Sequence, residues 1–245
     1  MKAPLVIAHR GAAAEAPENT IEAFDLSVLL GADALELDVQ QAGDGTLVVI
    51  HDRTVDRTTE AVGPVAGFSG AELARLGVPA LEEVLERYAG LEVTVDVKAS
   101  SATAEVVALI ARLGCTPRTI LYVEEGTDLD AFATYEGRRA TSSRQAAWLA
   151  AALADVDSAT GLPELPEGFP EVVHAPLVGP AGPIVTAELV TAARRVGLAV
   201  QVWTIDDPGR MRQLCHWGVD GIITNDVRRA VKLLKEEDEE GDEAS

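Results

Sequence analysis

Apolar positions along this chain follow two rhythms in turn. Short, mostly aliphatic runs occur at 5–8, 34–39, 91–97, 119–123, 139–142, 172–175, 199–204 and 220–224. Between them lie longer stretches with helical spacing, at 21–30, 81–89, 105–113, 188–196 and 209–217. Each of these helical stretches is followed by a glycine: Gly31, Gly90, Gly114, Gly197 and Gly218. Glycine suits the left-handed residue that closes a helix, and a strand soon afterwards is the second half of a βαβ unit. Eight strands alternating with helices predict a TIM-type (β/α)8 barrel. The pattern is poorest between 124 and 185, where Pro and Gly are frequent.

Helix starts agree. Asn19 with Glu22 and Ser69 with Glu72 have capping-box spacing, and Asp207 precedes a first-turn proline, Pro208. One apolar run, 47–50, follows the second strand too closely for a helix to intervene, and Gly43-Asp44-Gly45 between them is turn chemistry. An extra β-hairpin is therefore expected after strand 2. Antiparallel pairing about that turn brings position 51 level with about position 37, returning His51 to the rim beside Glu36 and Asp38.

Three of the apolar runs end in polar groups: His9-Arg10-Gly11, Glu36-Leu37-Asp38 and His51-Asp52. In a barrel, residues at the carboxyl ends of strands form the site. Strand alternation puts Glu36 and Asp38 on one face and Leu35, Leu37 and Val39 on the other; likewise Thr94, Asp96 and Lys98 oppose Val93, Val95 and Val97. Glu36, Asp38 and Asp96 then make a hard-oxygen set for one divalent cation, Mg²⁺ or Ca²⁺, with zinc disfavoured because no cysteine lies near. The same residues could instead close as buried ion pairs, Arg10 with Glu36 or Asp38 and Lys98 with Asp96. His9 and His51 are imidazoles able to exchange acid and base roles. Arg10 offers a planar fork to phosphate oxygens, and Lys98 adds a point charge. Asn19 can hydrogen-bond within the site or cap a helix. His174 and His216, Trp148 and Trp217 read as scaffold or packing residues, and Tyr88 and Tyr122 carry no signal.

Composition narrows the partners. Aromatic residues make up 4% of the 245, so the core must be Ala, Val, Leu and Ile. A net charge of −20 argues against nucleic acid and against stable membrane association, leaving a small-molecule substrate. Part of that charge is the run Glu236-Glu237-Asp238-Glu239-Glu240, so residues 1–235 are expected to form the barrel and 236–245 a disordered acidic tail. Cys115 and Cys215 are expected to be reduced thiols. No leader and no apolar run long enough to span a bilayer is read, and a soluble, cytoplasmic protein is expected. Oligomeric state is left open.

The ordered set His9-Arg10-Gly11, Pro17-Glu18-Asn19-Thr20, Glu36-Leu37-Asp38-Val39, His51-Asp52 and Arg57-Thr58-Thr59 resembles the glycerophosphodiester phosphodiesterase family. Val95-Asp96-Val97-Lys98, Val202-Trp203-Thr204-Ile205 and Gly218-Val219-Asp220-Gly221 follow in that family's order. The resemblance implies a TIM barrel that hydrolyses glycerophosphodiesters to glycerol 3-phosphate and an alcohol with a divalent cation. It implies His9 and His51 as the acid–base pair, Glu36 and Asp38 as metal ligands, Arg10 and Lys98 as phosphate contacts, and Trp203 as an aromatic of the substrate pocket. Glu18 is left in a supporting position. The chain departs from the pattern at Asp96, where the family has Glu, and at Asn225, where the last motif usually ends in Asp. Tyr122-Val123 stands where Ser-Phe is common, and the connection from Gly67 to Pro79 is short. Three other readings stay open beside this one: a lysophospholipase D-type phosphodiesterase, a barrel aldolase using Lys98 as a Schiff base, and a non-catalytic barrel that binds a phosphorylated ligand.

Overall fold

The alternation closes into a ring. The computed structural model describes residues 3–123, 132–154 and 164–236. In chain order its elements are β1 (Leu5–His9), α1 (Ile21–Leu29), β2 (Ala34–Gln41), β3 (Leu47–Val49), α2 (Gly70–Arg75), α3 (Leu81–Arg87), β4 (Glu92–Val97), α4 (Thr103–Arg112), β5 (Thr119–Val123) and β6 (Arg138–Arg139). There follow α5 (Ser143–Ala154), β7 (Val172–Pro176), β8 (Val178–Gly179), β9 (Gly182–Pro183), α6 (Ala187–Arg195), β10 (Ala199–Trp203), α7 (Pro208–Trp217), β11 (Gly221–Thr224) and α8 (Val227–Val231). Parallel neighbours run β6-β5-β4-β2-β1-β11-β10-β7. The two ends meet through a parallel bridge between Ala140 and Val172, where Thr141 N donates to Val172 O at 2.8 Å. The result is a barrel of eight parallel strands.

Side-chain alternation builds two layers from each strand. Leu35, Leu37 and Val39 of β2 and Val93, Val95 and Val97 of β4 face outward, sharing one core with Phe24 of α1, Leu85 of α3 and Ile110 of α4. Facing inward, Ile7, Ala34 and Ile223 form one small cluster, and Ile120, Tyr122, Ala140 and Val172 another. The interior is thus filled with side chains below the mouth, and only the positions nearest the strand ends are free to be polar.

The hairpin is present and in the expected register. Val39 pairs with Val49, Gln40 with Val48 and Gln41 with Leu47, which continues to place 51 level with 37. Ile50 N donates to Asp38 O at 3.0 Å, and Gln40 Nε2 to His51 O at 3.1 Å, pinning the chain as it leaves β3. The short connection after it carries α2, which begins in a full capping box between Ser69 and Glu72. Leu73 of this helix joins Val48, Ile50, Val55, Val65 and Val78 in a separate core beneath the hairpin.

Three local expectations change. Thr20, not Asn19, caps α1, its hydroxyl accepting from Ala23 N at 3.2 Å. Gly31, Gly114, Gly197 and Gly218 are left-handed, whereas Gly90 is not, because α3 ends earlier and Tyr88 takes its cap. The sixth strand is two residues long, at 138–139, rather than running to 142. Cys115 and Cys215 are both free thiols. Among the described residues no helix is long and apolar enough to cross a membrane. The acidic run from 237 onward lies outside the described residues.

Leu35 is fully buried between β2 and the helix layer. We expect Leu35→Ala to cost about 2–5 kcal/mol in urea unfolding, through lost burial and the cavity left behind.

Candidate active site

β2 and β4 run in register, so Asp38 lies directly across from Asp96 and Glu36 from Thr94. One carboxylate oxygen from each of Glu36, Asp38 and Asp96 falls within 4.8 Å of the others, and all three side chains are buried. A cavity of about 260 Å³ opens above them. His9, Arg10, Glu36, Asp38, His51, Asp96, Lys98 and Trp203 all line it, so of the residues singled out in the sequence only Asn19 stands back. Asn19 instead holds one of the acids: its Nδ2 donates to Asp38 Oδ2 at 2.9 Å. A larger hollow of about 700 Å³ runs outside the barrel past Trp148 and Phe169, and contains none of these groups. Trp148 is exposed beside it rather than packed inside the core.

Cations surround the carboxylates. Arg10 Nε lies 3.1 Å from Asp38 Oδ2, and Arg10 N donates to Glu36 Oε2 at 3.1 Å. Lys98 Nζ donates to Asp96 Oδ2 at 2.6 Å and lies 3.3 Å from Asp38 Oδ1. The ion pairs weighed against a site are therefore present, but they sit around an open cavity. Three acids against two bases leave one negative charge uncompensated. Burial, then the Asp38 and Asp96 charges, raise the Glu36 carboxyl well above its ordinary range. Such a cluster fits a hard divalent cation, which oxygen ligands prefer and which would remove the excess charge. Lys98 stays protonated: burial opposes its charge, but Asp96 and Asp38 outweigh burial and raise it. An amine held as ammonium is a poor Schiff-base nucleophile, which speaks against the aldolase reading.

The two imidazoles are each fixed through Nδ1, by different partners. His9 Nδ1 meets Asn225 Oδ1 at 2.7 Å. Asn225 Nδ2 donates to Asp206 Oδ2 at 2.8 Å, which settles the amide orientation, and Asp206 Oδ1 also accepts from Thr224 Oγ1 and Asn225 N. The amide oxygen can only accept, so His9 Nδ1 carries the proton and Nε2, 3.9 Å from Glu36 Oε2, presents a lone pair. Burial lowers the His9 imidazole below its usual value, with the Arg10 charge adding to it and the Asn225 bond opposing it. His51 Nδ1 meets a carboxylate, Asp52 Oδ1, at 2.7 Å. Asp52 is held by Arg57, whose Nε donates to Oδ2 at 2.7 Å. Arg57 also donates to both oxygens of Glu18, at 2.8 and 2.7 Å, and Glu18 accepts from Arg10 Nη1 at 2.9 Å. A chain of alternating charges thus runs from His51 to Arg10.

Arg10 and Asn19 are the two non-glycine residues at positive φ among the described residues, both at 56°. They support each other, Asn19 N donating to Arg10 O at 2.8 Å. Left-handed residues other than glycine concentrate at functional sites because strain must be held by surrounding bonds. Behind them Gly11 has φ 85° and packs on Ala23, where a Cβ would stand 2.6 Å from the Ala23 Cβ.

Two imidazoles, an arginine and a lysine surround a buried acid cluster in a barrel mouth, and the family to which this chain is matched is one of phosphoric diester hydrolases. Residues 9–229 match the glycerophosphoryl diester phosphodiesterase family, and the chain belongs to it. A glycerophosphodiester phosphodiesterase of Caldanaerobacter subterraneus is 33% identical over 94% of this chain and 98% of its own. The crystal structure of a glycerophosphodiester phosphodiesterase from Agrobacterium tumefaciens, 28% identical, superposes with a TM-score of 0.70, covering 93% of this chain and all of that one. One from Thermotoga maritima, 24% identical, shares the fold with a TM-score of 0.75 over 95% and 99% of the two chains.

Sequence reasoning shows no sign of Asp206, names Asp52, Arg57 and Asn225 only within motifs, favours a scaffold role for His174 over lining the mouth, and finds no signal of its own in Tyr122. Asn225 could have been found from barrel closure, since Ala8 pairs with Thr224 and the next pair outward is His9 with Asn225. Tyr122 and His174, which line the cavity, could have been found from strand alternation, being inward positions on β5 and β7.

Arg57, the leading cause in both cases, holds Glu18 and Asp52 down to about 2, from ordinary values of 4.5 and 3.8. Carboxyls that titrate lower when folded stabilise the protein above their unfolded values and lose that contribution as pH falls through the folded ones. We expect wild-type stability to fall from about pH 4.5 to about 2, and Glu18→Gln to flatten that slope in acid unfolding curves.

Proposed function

We propose that this enzyme hydrolyses glycerophosphodiesters to glycerol 3-phosphate and an alcohol, with Glu36, Asp38 and Asp96 holding one Mg²⁺ or Ca²⁺ and His9 and His51 moving the protons. The observation that carries this reading is the unlike tethering of the two imidazoles on one cavity: an amide oxygen on His9 Nδ1, a carboxylate on His51 Nδ1. With Nδ1 protonated and its charged form disfavoured by burial, His9 is set to accept a proton at Nε2. The attacking oxygen gives up that proton as its bond to phosphorus forms. We assign the donor role to His51, whose ring is oriented through Nδ1 by the Asp52 carboxylate. It delivers a proton to the leaving alcohol oxygen as the P–O bond breaks.

Arg10 and Lys98 flank the place where the phosphate oxygens come to rest, and both already oppose the acids beneath. When bound, the cation would supply Lewis-acid polarisation of the phosphate and offset charge building on its oxygens. Trp203 closes one side of the cavity against the carbon chain of the substrate, and Asn19 keeps Asp38 aimed. We assign this catalytic unit to residues 1–235, and place it in the cytoplasm on the strength of its two free thiols.

The test is release of glycerol 3-phosphate from glycerophosphocholine, glycerophosphoethanolamine and a lysophospholipid, measured with a coupled dehydrogenase. We expect chelation to abolish turnover and Mg²⁺ or Ca²⁺ to restore it. His51→Ala should lower kcat by about 10²–10⁴-fold, the usual contribution of a positioned acid–base group. Turnover that persists in chelator removes the cation from the mechanism, and an unchanged His51→Ala removes the proton-transfer role.

A further inference from the structure

The chemistry above uses the charged wall of the cavity. The cavity is also lined by three rings from another arc of the barrel: Tyr122 on β5, His174 on β7 and Trp203 on β10. The His174 ring sits between the other two, with centroids 4.7 Å from Tyr122 and 5.9 Å from Trp203. It is 4% exposed, and its backbone N–H is tied to Thr141 Oγ1 at 3.0 Å. A ring serving only to fill this space would be better without nitrogen, because a buried polar atom costs free energy unless bonded. Nevertheless His174 Nδ1 completes no hydrogen bond within the protein. Trp203 Nε1 completes none either. This arc therefore combines apolar ring faces with two ring nitrogens, His174 Nδ1 and Trp203 Nε1, that complete no bond within the protein.

That combination matches a small polyol. Its C–H groups can rest on ring faces while its hydroxyls meet the polar edges. Arg10 and Lys98 draw the phosphate to the charged wall, so the glycerol unit attached to it is the part that reaches the rings. We propose that His174 is a specificity-determining residue that hydrogen-bonds a hydroxyl of the glycerol half of the substrate. The assignment rests on the phosphodiesterase reading given above. Burial, reinforced by the His9 and Lys98 charges and opposed by Gln201, brings the His174 imidazole down to about 3. The ring is neutral at working pH and can accept from a hydroxyl or donate to one.

The experiment compares His174→Phe with wild type on two substrates: glycerophosphocholine, and bis(p-nitrophenyl) phosphate, which has no hydroxyl. Phe keeps a ring between Tyr122 and Trp203 and removes only the polar edge. We expect kcat/KM for glycerophosphocholine to fall at least about tenfold more than for the p-nitrophenyl ester, as when a site built to hydrogen-bond its substrate loses that bond. His174→Asn, whose amide reaches toward the place of Nδ1, should recover part of the preference and serves if the Phe variant fails to fold by circular dichroism. Equal losses on both substrates in the folded Phe variant, or in the Asn variant where the Phe variant does not fold, overturn the assignment, as does a Phe variant that loses activity on neither. Wild-type enzyme that cleaves the p-nitrophenyl ester but no glycerophosphodiester overturns the substrate reading beneath it, an outcome visible before any variant is made.

Discussion

Three carboxylates withdrawn from water at the ends of two paired strands set the terms for everything around them. Removing an ion from water costs several kcal/mol unless partners compensate, and the cost rises when like charges share a site. The molecule answers with Arg10 and Lys98 against Asp38 and Asp96, and with a Glu36 carboxyl pushed toward its protonated form. An arrangement this costly contributes little to stability that a well-packed apolar corner could not supply. On the function proposed above, a substrate carrying phosphate and a divalent cation would both complete it.

The scaffold earns its precision from strand pairing. Asp38 and Asp96 face each other because β2 and β4 are parallel and in register, and the valines and leucines of alternate positions lock both strands against the helices. A slip of one residue would turn every acid outward and every apolar side chain inward. Register is thus specified by the apolar face and exploited by the polar one. The same alternation explains why His174 and Tyr122 appear inside the cavity without any local signal of function.

Much of the fold and most of the site could be read from the chain. Alternation alone separated Glu36 and Asp38 from Leu37, and turn chemistry at Gly43–Gly45 was enough to return His51 to the rim. What stayed hidden depends on closure. His9 and Asn225 are 216 positions apart, and only the meeting of β1 with β11 makes them neighbours. Asn19 and Thr20 are both good caps, so composition cannot say which one caps; the demand of buried Asp38 for a donor decides it. Gly90 lost its expected role because Tyr88 is anchored by its hydroxyl to Asp25, 2.8 Å away, and ends the helix first.

The seam between β6 and β7 is a two-residue strand joined to its neighbour by a single bridge. The acids stand on β2 and β4, on the arc of the ring where the ladder is longest. The barrel is therefore unevenly laced: its sparsest pairing lies between the strands that carry Tyr122 and His174, and its longest ladder lies beneath the acids, where the separation of like charges is set.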